Sequence, residues 1–127
     1  MDLLPTLCAA AGVELPAEYR GDGENMLPAF DGKKVVRTRP IFWEWRGNNR
    51  EPDWWPDLAV RDGDWKLAMT DDGKRTELYR LDHDRAEASD VAAEHPDIVA
   101  RLSGLIRGWQ ATLPTGPDPD CTSKEAR

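Results

Sequence analysis

The sequence predicts an α+β chain in which a small antiparallel sheet of three or four strands is covered by a C-terminal helix. Three observations carry that reading. Leu58–Arg61 and Asp64–Met69 flank Asp62-Gly63, and both turn residues tolerate the positive φ that a type I′ hairpin turn requires. Asp71-Asp72-Gly73-Lys74 then reverses the chain into Thr76–Leu81, while Pro40–Arg46 supplies one further strand. A sheet of this size needs a cover for its apolar face. Ile98, Val99, Leu102, Leu105, Ile106, Trp109 and Leu113 recur at spacings of three and four, which makes the amphipathic stripe that can provide it.

Taken from the start, Asp2 is placed to cap a helix over Leu3–Ala11, its carboxylate accepting from the first free amides. Pro5 is tolerated in the first turn and Gly12 offers a left-handed stop. Leu3, Leu4, Leu7, Cys8 and Ala11 form one apolar stripe on this helix. A helix so short is marginal alone and must dock on something. Its position at the first residues suggests a piece of a longer chain.

Residues 12–39 show no sustained period. Leu15, Tyr19, Met26, Leu27 and Phe30 make them an ordered connector rather than a free linker. Residues 48–57 are irregular, with prolines on both sides of Trp54-Trp55 that argue against a central strand. Asp82 to Glu87 forms an acidic turn. Pro96 and Asp97 open the last helix, Gly104 and Gly108 would let it approach the sheet closely, and Pro114 ends it. Thr115–Arg127 holds no core material and reads as a disordered tail.

At 127 residues the chain is one domain, large enough to bury about two-thirds of its unfolded surface. Its net charge of −7 gives no broad footprint for nucleic acid or an anionic membrane. No apolar run approaches the roughly 20 residues of a membrane span, and no secretory leader is read at Met1. Cys8 lies in an apolar helix and Cys121 in a proline-rich tail, which argues against a bridge between them.

Candidate sites centre on tryptophan. In Trp43-Glu44-Trp45-Arg46 strand alternation puts both indoles on one face and Glu44 and Arg46 on the other. One face can simply be core. Alternatively, the strand end with Gly47-Asn48 lines a pocket for a polar, sugar-like or aromatic ligand. Trp54 and Trp55 cannot easily both be buried from a loop, so one of them is a candidate contact.

Asp82, Asp84 and Glu87 superficially suggest a calcium loop, but Glu87 stands where the sharp turn of such a loop needs Gly. A solvated turn capping its own backbone is the simpler reading. His83 and His95 lack partners at zinc spacing. Ser89, Ser103 and Ser123 lack a nucleophile-elbow frame, and neither Cys has basic company. The residues alone therefore contain no complete active site.

The order of several short motifs is similar to that of sulfatases. Asp2-Leu3-Leu4-Pro5-Thr6-Leu7, then Ala11-Gly12-Val13 with Leu15-Pro16, resembles the segment that ends their large catalytic domain. Asp22-Gly23, Met26-Leu27-Pro28 and Asp31-Gly32-Lys33 resemble the next signature. Phe42-Trp43-Glu44, Ala59 to Leu67 and Glu77 to Asp82 resemble the strands of the small C-terminal subdomain. The resemblance covers residues 2–113.

It implies that residues 1–12 are the last helix left from an α/β, alkaline-phosphatase-like catalytic domain. Residues 13–39 are then the connector, 40–113 the C-terminal subdomain and 114–127 the tail. It also implies that the full-length enzyme hydrolyses sulfate esters or sulfamates with a formylglycine, made from Cys or Ser in C-x-P-x-R or S-x-P-x-R, and a calcium ion. Neither cofactor is expected in this chain, because Cys8 is followed by Ala9-Ala10-Ala11 and Cys121 by Thr122-Ser123-Lys124.

The implied partners are the missing catalytic domain, in the same or a split chain, and a sulfated small molecule or glycan. Many full-length relatives are exported. Relatives often carry His where this chain has Trp45, so Trp45 and Arg46 would alter which ester fits. The rival expectation is a freestanding carbohydrate- or protein-binding module that uses exposed tryptophans.

Overall fold

The computed structural model describes residues 1–45 and 55–116. Among the described residues three helices and four strands follow one another as α1 (Leu3–Ala11), α2 (Leu27–Phe30), β1 (Ile41–Glu44), β2 (Leu58–Asp62), β3 (Trp65–Met69), β4 (Thr76–Arg80) and α3 (Pro96–Gln110). The strands pair antiparallel in chain order, β1-β2-β3-β4. Side chains alternate between the faces of a strand, so the register decides what is buried. Phe42, Val60, Leu67 and Leu78 lie opposite one another across all four strands. Leu58 and Met69 form a parallel row on the same face.

The stripe of α3 covers that face. Leu58, Val60, Leu67 and Leu78 from the sheet and Leu102 and Ile106 from the helix are fully buried. Each contributes about 1.5–3 kcal/mol relative to exposure. Phe42 stacks on Trp109 with ring centroids 5.0 Å apart and planes 8° apart, and Trp65 meets His95 edge-on at 4.9 Å. Beyond β4, Asp90 accepts the Leu78 amide at 2.9 Å and Val91 donates to the Leu78 carbonyl at 2.9 Å. The segment after the acidic turn thus straps that edge. No described helix is long and apolar enough to cross a membrane.

Several expectations are corrected in detail. The first hairpin loop is Gly63-Asp64, because Asp62 pairs with Trp65 as the last strand residue. Gly63 alone takes positive φ (60°). Glycine first, rather than two left-handed residues, is the requirement of a II′-type loop. Gly104 and Gly108 do not bring α3 close to the sheet: a Cβ built at either would meet nothing within 4 Å. They lie on the solvent side. The helix stops at Gln110 rather than running to Pro114, because Thr112 turns back, its amide (2.9 Å) and hydroxyl (2.6 Å) both donating to the Trp109 carbonyl.

Asp2 holds the N-cap position but does not cap with its side chain. Its backbone is already helical (φ −75°, ψ −11°) and its side chain makes no cap bond. The carboxylate instead accepts from the Glu24 amide at 2.9 Å and from Arg37 at 2.6 Å. Gly12 does supply the left-handed stop, at φ 67°.

The connector contains the short helix α2 and is tied to α1 by polar bonds. The Thr6 hydroxyl donates to the Asp2 carbonyl at 2.6 Å and accepts from the Met26 amide at 2.9 Å. Glu24 accepts from the Thr38 amide (3.1 Å) and hydroxyl (3.0 Å) and from the Arg39 amide (2.8 Å). Pro5 and Thr6 are the buried residues of α1. Its leucines face the other way. Leu3, Leu4 and Leu7 are 73%, 52% and 63% exposed, and Phe30 of the connector is also exposed.

Candidate functional site

The candidate strand β1 is held between β2 and α3 in a way that separates the predicted residues. Phe42 and Glu44 point towards the helix, where Phe42 stacks on Trp109 and Glu44 accepts from Gln110 Nε2 at 3.4 Å. Trp43 and Trp45 occupy the opposite face, 46% and 53% exposed. The Trp45 amide donates to the Asp57 carbonyl at 2.8 Å, which continues the pairing one residue past β1. Trp55 is half-buried, and the Arg75 guanidinium lies 4.0 Å above its ring. Arg46, Gly47, Asn48 and Trp54 lie outside the described residues, as do Cys121 and most of the tail.

A hollow of about 300 Å³ opens at the end of β1, lined among others by Glu44, Trp45, Asp57, Asp71 and Gln110. Of the predicted residues, it gathers Glu44 and Trp45. Sequence reasoning missed Asp71 and Gln110, which line it, and Arg107, which braces both from behind. Gln110 donates to Asp71 at 3.0 Å, and Arg107 donates to Gln110 Oε1 at 2.7 Å and to the Asp71 carbonyl at 2.6 Å. Asp57 in turn accepts the Asp71 amide at 2.8 Å. Apart from Arg107–Gln110, one helical turn apart in α3, these contacts join residues far apart in the chain, and no local spacing marks them.

The acidic turn does what a solvated turn does. Asp84 accepts the Ser89 amide at 3.0 Å, and that bond with others from the same turn holds its carboxyl below the usual range. Glu87 adopts the left-handed conformation (φ 55°) and binds Lys66 at 2.6 Å. Asp82 pairs with Arg80 at 3.1 Å. Nearby, burial and the Glu77 carboxylate push the Tyr79 hydroxyl well above its ordinary pKa, and the Tyr79 O–H donates to Glu77.

The described residues do not fit either cofactor that the sulfatase resemblance implies. Among the described residues no three His, Cys, Asp or Glu side chains come together to hold a metal ion. Cys8, followed by three alanines, lacks the frame from which formylglycine is made. What the described residues can do is bind and orient, by aromatic faces, carboxylates and guanidinium groups.

No family model matches the chain. A Delta 4,5-hexuronate-2-O-sulfatase of Bacteroides thetaiotaomicron is 33% identical over 131 aligned residues, covering 95% of this chain and 27% of that protein. An uncharacterized sulfatase of Escherichia coli is 26% identical over 137 residues, covering 84% of this chain and 24% of its own length. Among solved structures, a 2-O GAG sulfatase superposes with a TM-score of 0.62 at 27% identity, over 94% of this chain and 27% of that one. The chain spans about a quarter of the length of these proteins. In sequence and in fold the chain is a sulfatase relative, matching a portion of that family's length.

Proposed function

We propose that the chain is the C-terminal part of a sulfatase whose complete form hydrolyses sulfate esters or sulfamates. Residues 1–12 are the last helix of the catalytic domain, 13–39 the connector, 40–113 the small C-terminal subdomain and 114–127 a tail. The observation that carries this reading is the outward apolar face of α1, with Leu3, Leu4 and Leu7 more than half exposed, on a chain a quarter the length of its relatives. Such a face needs a partner surface, and the remainder of a sulfatase supplies one.

Formylglycine and calcium belong to that remainder, so the 127 residues alone do not turn over substrate. Their role is to shape one wall of a pocket for a sulfated small molecule or glycan. Trp43, Trp45, Arg46, Trp54 and Trp55 offer faces and charge, and Glu44 offers an acceptor. The relatives described as acting on hexuronate and on GAG support a glycan as the class of substrate.

The pure chain should leave p-nitrophenyl sulfate unhydrolysed, and turnover by it overturns the proposal. Adding a separately produced sulfatase catalytic domain should raise the chain's Tm. A partner at about 100 times its Kd contributes roughly 2.7 kcal/mol. A second reading, a freestanding binding module, is favoured by the half-open faces of Trp43 and Trp45. It predicts sugar or protein binding by the chain alone and no response to the catalytic domain.

A further inference from the structure

At the opposite end of the sheet from the acidic hollow lies a groove of the opposite character. The connector stretch 34–39 forms one wall, fixed to α1 through Arg37–Asp2 and through the bonds of Glu24 to Thr38 and Arg39. The tip of the β2–β3 hairpin and the acidic turn form the other wall, tied together where the Leu81 amide donates to the Asp64 carbonyl at 2.7 Å. Between them is a hollow of about 420 Å³, lined among others by Lys34, Arg37, Arg39, Arg61 and Arg85. It adjoins a second hollow of about 560 Å³, which Arg61, Asp64 and Arg85 also line.

The charges here do not cancel. Arg37 is paired with Asp2, and Arg39 donates to the Gly21 and Gly23 carbonyls. The carboxylates of the second hollow are also engaged: Asp82 with Arg80 and His83, Glu87 with Lys66. Arg61 uses only its Nε, donating to the Gly63 carbonyl at 3.3 Å, which fixes the plane of its guanidinium. Among the described residues Lys34 and Arg85 have no ion-pair or hydrogen-bond partner. Three uncompensated cations therefore face one carboxylate, Asp64, in a chain whose net charge is −7.

A planar guanidinium presents paired donors that match sulfate and carboxylate oxygens. The half-buried Ile41 gives the cleft an apolar wall, against which the field is less screened. Ile41 stands opposite Arg61 in the sheet, and Trp43 lies two residues along on the same face. An exposed aromatic ring thus stands on the same sheet face, just beyond the residues that line the cleft.

We infer that this groove binds an acidic saccharide, with Arg61 and Arg85 holding its sulfate or carboxylate groups, Lys34 adding charge and Trp43 offering a ring face. The choice of a saccharide over an acidic peptide rests on the sulfatase reading. The anion site rests only on the residues that form it.

Binding is measured by calorimetry on the 127-residue chain with four probes: a sulfated glycosaminoglycan tetrasaccharide, its desulfated and carboxyl-reduced form, inorganic sulfate and a poly-glutamate peptide. The charged tetrasaccharide should bind with an affinity that falls as salt rises. Arg61→Gln and Arg85→Gln should each weaken it about tenfold, while Lys74→Gln, at the other end of the sheet and paired among the described residues only with Asp72, should change it less than twofold. Far-ultraviolet circular dichroism checks that these exposed substitutions leave the fold intact.

Absence of binding overturns the inference. So does binding that Arg61→Gln and Arg85→Gln together leave unchanged, equal affinity for inorganic sulfate, or tighter binding of a poly-glutamate peptide. None of these outcomes bears on whether a catalytic domain stabilises the chain, so the sulfatase reading is tested separately.

Discussion

Arg37 donates to Asp2 at 2.6 Å across 35 residues of sequence, and this ion pair, with Glu24 beside it, clasps the connector onto the first helix. Both carboxylates sit below their ordinary values of 3.8 and 4.5. For Asp2 the chief cause is the Arg37 hydrogen bond, followed by the Glu24 amide. For Glu24, burial pushes upward but is outweighed by the donors of Thr38 and Arg39. The unfolded carboxylates therefore take up protons at higher pH than the folded ones. The clasp's contribution is fully present above the unfolded values and is lost as pH falls through the folded ones. A Tm series from about pH 6 to about pH 3 should decline, and Asp2→Asn combined with Glu24→Gln should flatten it. Parallel slopes would refute the assignment.

The stack of Phe42 on Trp109 fixes where α3 lies on the sheet. Phe42→Ala should cost about 2 kcal/mol, below the usual value for a fully buried ring because Phe42 is half-buried. Trp109→Ala should cost a similar amount. The double variant should fall short of the sum by about 0.5–1.5 kcal/mol, the share of a ring pair beyond its area. Urea denaturation of the four proteins measures it, and strict additivity would show that the rings pack independently.

Gly23 is buried where the connector crosses the start of α1, and a Cβ there would lie 2.3 Å from the Met1 carbonyl oxygen. The obstacle is backbone, so the segment must shift. Gly23→Ala should lower stability by about 1–3 kcal/mol and loosen the clasp. Hydrogen exchange at the Glu24 and Met26 amides should rise while the sheet amides stay protected. Unchanged exchange at both would contradict the close approach.

Replacing Leu3, Leu4 and Leu7 together by Glu removes an exposed apolar face rather than a core. The chain's own stability should change by less than about 0.5 kcal/mol per site, and its tendency to self-associate should drop in sedimentation runs. The same variant should lose the Tm increase given by a sulfatase catalytic domain. Retention of that increase would place the docking surface elsewhere.

Much of this architecture was legible because local chemistry and burial agree in it. The turn residues Gly63 and Gly73, the alternation through Val60 and Leu67, and the stripe of Leu102 and Ile106 each point to the same packing. What was not legible depended on distant partners. Asp2 looks like a cap from its neighbours and becomes a clasp because Arg37 arrives from residue 37. Gly104 and Gly108 suggest close approach in sequence, but the stripe turns them towards solvent. At the candidate site, the strand face of Trp43 and Trp45 follows from alternation alone. The bracing of Asp71 by Arg107 and Gln110 could not be foreseen, since those contacts bring together a turn and the end of α3.

The strap over β4 has a consequence for assembly. With Asp90 and Val91 already occupying the amide and carbonyl of Leu78, the middle of that rim has no free donor or acceptor for a visiting strand. Runaway sheet growth is hindered on that flank.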